Sequence, residues 1–160
     1  MEIIEIGSKF PEDNMKAPTY PIWRQDIVKY TEEVAKILQQ KYPEGGFNLY
    51  CMGSSGIYVA TILDLLLPIS DIIYVRKMGE NGHNHYHWEK NGYVNVFVDD
   101  FIETGNTFRQ VYRKVVACTN KGIEVIATVS NSLSLDTNVK GIEKDLSNYL
   151  CERPQLFIKY

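Results

Sequence analysis

A largely apolar strand that ends in two aspartates and runs straight into a Thr-Gly-Asn-Thr turn constrains this chain more than any other feature. The segment reads Val96-Phe97-Val98-Asp99-Asp100-Phe101-Ile102-Glu103-Thr104-Gly105-Asn106-Thr107. Residues 106–120 then place Phe108, Val111, Tyr112 and Val115 on one helical face. Strand, carboxylates, turn and helix in that order put both acids at the carboxyl edge of a sheet. The first amides of the following helix have no partner inside it, and its dipole is positive there. Gly105 allows a close backbone approach, and the hydroxyls of Thr104 and Thr107 can cap the helix or bind a ligand.

The rest of the chain supplies a frame for that edge. Residues 26–42 have Ile27, Tyr30, Val34, Ile37 and Leu38 at helical spacing, closed by Pro43 and Gly45-Gly46. Residues 47–52 read as a strand, Gly53-Ser54-Ser55-Gly56 as a turn, and residues 57–67 as a helix stopped by Pro68. Strands are expected at 71–76, 93–98 and 123–129, with a polar Gly-, Asn- and His-rich loop over 78–92. Residues 1–25 carry three prolines and read as irregular with one short strand. A short helix near 142–150 and a last strand near 156–160 complete the tail. This order predicts one α/β domain, 1–160, with a mainly parallel, Rossmann-like central sheet flanked by helices. In such sheets ligands sit beyond the carboxyl ends of the strands.

With 160 residues, 44% apolar and 23% charged, the chain can bury one core. A net charge of -3 argues against nucleic acid held on a broad basic surface. Cys51, Cys118 and Cys151 make no C-x-x-C pair, and Cys51 and Cys118 read as core residues. Residues 1–6 lack the basic region of a signal peptide, and no stretch suits a membrane span, so a cytoplasmic location is expected. His83, His85 and His87 alternate, and three readings stay open. They could ligate a transition metal, serve a lid, or decorate a solvated loop, the last being the plainest.

Carboxylates beside a phosphate cradle suit vicinal sugar hydroxyls, directly or through a metal's water shell, which points to a sugar phosphate. The segment resembles the 5-phosphoribosyl-1-pyrophosphate (PRPP) motif of type I phosphoribosyltransferases: an apolar strand, two acids, two apolar residues, a variable residue, then Thr-Gly-x-Thr. The likeness of arrangement extends over about residues 26–130, with a small hood from 1–25 and/or 131–160. It implies that Asp99 and Asp100 hold the ribose hydroxyls and Mg2+, and that Glu103, Thr104, Gly105, Asn106 and Thr107 wrap the 5-phosphate. It also implies that Gly53, Ser54, Ser55 and Gly56, in a loop where the family often has a non-proline cis peptide, hold pyrophosphate with Arg76 and Lys77. Residues 78–92 fall where the family has a mobile lid.

The implied reaction is phosphoribosyl transfer to a nitrogenous base in nucleotide salvage, with Glu103, Asp99 and Asp100 as the catalytic group. A purine is slightly favoured, because an acid stands at position 103 in 6-oxopurine enzymes. Against it, the lysine those enzymes carry after the next strand has no counterpart in Thr128-Val129-Ser130-Asn131. Tyr20, Trp23, Trp88 and Phe157 are candidates to stack on the base. A homodimer is expected from the family, with PRPP and a nucleobase-like molecule as ligands and neither nucleic acid nor membrane as partner. The competing function is a PRPP-binding regulator of the same fold. A response-regulator-like domain is a further alternative, but it lacks its late-strand lysine.

Overall fold

The continuous apolar runs of this chain become strands covered on both faces, as parallel sheets require. The computed structural model describes residues 2–5, 24–77, 90–100, 105–118, 121–129 and 156–159. Every residue is buried in β2 (Phe47–Cys51), β4 (Val94–Asp99) and β5 (Val125–Thr128). β3 (Ser70–Tyr74) is an edge strand with one face partly open. β1 (Glu2–Glu5) and β6 (Leu156–Lys159) complete a six-stranded sheet of order β1-β6-β5-β4-β2-β3. All five pairings are parallel.

Strand side chains alternate between two apolar layers. Leu49, Val96, Val98 and Ala127 face Val34 and Leu38 of α1 (Arg24–Lys41) and Val59 and Leu63 of α2 (Gly53–Leu66). Tyr50, Phe97 and Ile126 face Phe108, Val111, Tyr112 and Val115 of α3 (Asn106–Cys118). The predicted i, i+3, i+4, i+7 face of α3 is therefore its buried face. Phe97 meets Phe108 edge-on, with centroids 5.0 Å apart.

Among the described residues the expected elements form, with one substantive correction. Gly53-Ser54-Ser55-Gly56 is not a turn but the opening of α2. Met52 is extended, and Gly53 turns the chain within one residue by adopting φ +78°, so the residues after it are already helical. Asp99, read as lying just past its strand, is the last residue of β4. The short strand expected within residues 1–25 is β1, paired with β6. The expected helix near 142–150 and the loop over 78–89, with its histidines, lie outside the described residues. Among the described residues no helix is long and apolar enough to cross a membrane.

Candidate active site

From β2 the chain leaves through α2 towards β3, and from β4 it leaves through α3 towards β5. β2 and β4 are neighbours, so the two exits diverge between them. Such a topological switch point opens a crevice at the carboxyl edge of a parallel sheet. α2 begins after one of the two flanking strands and α3 after the other, and β4 ends on the acidic pair.

Asp99 is 5% exposed. Its Oδ1 accepts hydrogen bonds from Ser55 Oγ at 3.3 Å and from the Asp100 amide at 3.0 Å. The Ser55 bond joins the end of β4 to the first turn of α2. Burial pushes the Asp99 carboxyl up to about 8, helped by a side-chain hydrogen bond with Asp100 and by that residue's charge. Asp100 is half-buried and follows directly in the chain. Its carbonyl accepts from the Val129 amide, which keeps β5 paired past its last residue.

The start of α2 is held tightly against this edge. A Cβ on Gly56 would lie 3.3 Å from the Val98 carbonyl oxygen, 3.3 Å from Cys51 Cβ and 3.6 Å from Asp99 Oδ1. Glycine here lets the helix reach the acidic pair. The Met52 side chain makes no cap hydrogen bond, so the amides of the first turn are not closed off by it. Beside them lies Lys77, whose Nζ is 3.9 Å from where a Gly53 Cβ would stand. Lys77 therefore meets the start of α2. Arg76 is half-buried, and its backbone carbonyl accepts a hydrogen bond from Lys114 of α3. Nothing in the sequence singled out Lys114, because its partner is a backbone atom just past the distant β3.

Gly105 adopts φ +74° and gives its carbonyl to the Arg109 amide at 2.9 Å, the first hydrogen bond of α3. Asn106 is exposed and accepts from Arg109 Nη1 at 3.4 Å, and Thr107 is half-buried. Glu103 and Thr104 lie outside the described residues. All peptide bonds among the described residues are trans, including those of residues 52–56, the loop where the family often has a cis bond. Cys51 offers no nucleophile, since burial, and then the Asp99 charge, push its thiol up to about 12.

The acidic pair and the opening of α2 meet, Lys77 stands beside that opening, and the opening of α3 follows the acids six residues later, a set able to hold a polyhydroxylated ligand with two anionic ends. No protein-family model and no curated protein sequence matches the chain. Solved structures do. The adenine phosphoribosyltransferase of Saccharomyces cerevisiae, in complex with adenine, superposes with a TM-score of 0.59 at 20% identity, over 82% of this chain and 77% of that one. The purine phosphoribosyltransferase of Pyrococcus horikoshii gives 0.54 at 19%, over 89% and 87%. A hypoxanthine-guanine phosphoribosyltransferase of Bacillus anthracis gives 0.53 at 12%, and the match spans only 65% of either chain. What these proteins share with the chain is the fold.

Proposed function

We propose that this chain, which has the fold of the type I phosphoribosyltransferases, transfers the 5-phosphoribosyl group from PRPP to a nitrogenous base and releases pyrophosphate. The observation that carries the reading is the Ser55–Asp99 hydrogen bond across the switch point. It brings the acidic pair and the start of α2 to one crevice, with the opening of α3 six residues further along the chain. A purine is the favoured base. The named neighbours act on purines, and Glu103 occupies the position where an acid serves a purine ring.

In this reading the chain works by position and charge rather than by a covalent intermediate. Asp99 and Asp100 hold the ribose 2- and 3-hydroxyls. Amides of Gly105, Asn106 and Thr107, with Glu103 and Thr104, hold the 5-phosphate at the positive end of α3. Amides and hydroxyls of residues 53–56, with Lys77 and Arg76, receive the departing pyrophosphate. Catalysis then rests on stabilising that leaving anion while the carboxyls face the cationic ribose carbon.

The donor set also fits magnesium. Burial and the neighbouring carboxyl oppose charge on Asp99, and a hard divalent ion offsets that penalty through oxygen ligands. Bound at Asp99 and Asp100, it would neutralise charge on the pyrophosphate. A hood over the base would come from residues 1–25, from residues 131–160, or from both.

The test is pyrophosphate release from PRPP and magnesium over a panel of purines, pyrimidines, nicotinamide and related acids. Release is expected with a purine, and Asp100→Asn should lower it by at least about a hundredfold. PRPP binding by calorimetry without release from any base would instead favour a PRPP-binding regulator. Absence of both PRPP binding and pyrophosphate release would refute the reading.

A further inference from the structure

β5 carries a buried hydroxyl that the mechanism above does not use. Thr128, the last residue of β5, is 0% exposed, and among the described residues its Oγ1 has no hydrogen-bond partner. A stranded hydroxyl in an interior costs about 1–3 kcal/mol, so a strand position filled by Thr rather than Val calls for a reason. Thr and Val have nearly the same shape and similar strand propensity.

The register of the sheet supplies one. Thr128 pairs with Asp99 across the parallel β4–β5 ladder. Ile126 and Phe97, each two residues earlier, belong to the same apolar layer. Alternation therefore puts Thr128 and Asp99 on one face of adjacent strands, which run about 4.8 Å apart. On the other side of Asp99, Ser55 already donates to Oδ1.

We infer that Thr128 is a positioning residue for Asp99: its hydroxyl turns onto the Asp99 carboxyl when ligand is held, fixing from the β5 side the group that Ser55 fixes from the α2 side. The hydroxyl's cost is borne in the free protein and relieved in the bound one. Thr128 thus belongs to binding and contributes nothing favourable to the fold of the free chain. This inference rests on the PRPP reading of Asp99.

The experiment pairs calorimetric titration of the full chain with PRPP and magnesium against urea denaturation of the free chain. Wild type, Thr128→Val and Thr128→Ser are compared. Thr128→Val is expected to unfold at the same or a higher urea concentration than wild type, yet to bind PRPP about tenfold more weakly, as loss of one hydrogen bond to a charged group predicts. Thr128→Ser, which keeps the hydroxyl, should bind within about twofold of wild type on the same scale. Unchanged PRPP affinity in Thr128→Val overturns the inference and leaves the PRPP reading intact. Earlier unfolding of Thr128→Val overturns it too, because the hydroxyl would then serve the free fold. Failure of wild type itself to bind PRPP overturns both.

Discussion

Asp99 carries two duties that pull against each other. As the last residue of an all-buried strand it is shielded from water, and its carboxyl is pushed up to about 8. An unfolded aspartate titrates near 3.9. Between those values the folded chain holds a proton that the unfolded chain has released, so the contribution to stability is complete at the acid end. It is lost as pH rises towards 8 and is level above that. Asp99→Asn cannot ionise and should remove this slope. We therefore expect the urea midpoint of wild type minus that of Asp99→Asn to fall from pH 4 to pH 8. A difference that is flat across that range would mean Asp99 is not held neutral. Gly56 shows the same economy of space, because its missing side chain is what lets α2 stand beside this carboxyl. Its importance could not be read from the sequence, since the atoms it avoids belong to residues 51, 98 and 99.

At the scale of elements, the two edges of the sheet are built differently. The carboxyl edge holds the crevice. The amino edge is tied by a buried amide pair, with Asn48 Nδ2 donating to Asn95 Oδ1 at 2.9 Å. Asn48 also holds the Lys90 amide at 3.1 Å and the Lys90 carbonyl at 3.2 Å, which fixes the chain just before β4. Asn95 Nδ2 reaches the Gly122 carbonyl at 3.3 Å, which binds the approach to β5. Asn48→Ala would leave several of these groups without partners and should cost about 2–3 kcal/mol, read as a lower urea midpoint at unchanged slope. Its PRPP affinity should match wild type, because four residues of strand, roughly 13 Å, separate Asn95 from Asp99. Loss of both together would place the network in the site. Periodicity exposed α1 and α3 because each buries one regular face. It misjudged the start of α2, where Gly and Ser signalled a turn and only the positive φ of Gly53 shows that the turn takes a single residue. Asn48 and Asn95 stand opposite each other in the β2–β4 register, which is what pairs them.

For the whole molecule, the chain's two terminal strands lie side by side. β1 pairs with β6 and covers an edge that would otherwise present unpaired amides and carbonyls. Deleting residues 1–5 is expected to lower the urea midpoint and to produce concentration-dependent association on gel filtration. A truncated chain as stable and as monodisperse as the full one would show that β1 adds nothing to the sheet. The sequence by itself determined the order of most elements, the parallel sheet and the acidic strand end, because each is written in local periodicity and turn chemistry. It also marked Asp99, Asp100, Gly105 and Ser55 as site candidates, though not their contacts. Only the tertiary structure decided that β2 and β4 are neighbours, that Ser55 meets Asp99 and Lys77 the start of α2, and that Thr128 stands in register with Asp99. Those facts depend on strand order and register, which are set by how the two apolar layers pack across the whole sheet, and no single segment of the chain carries them.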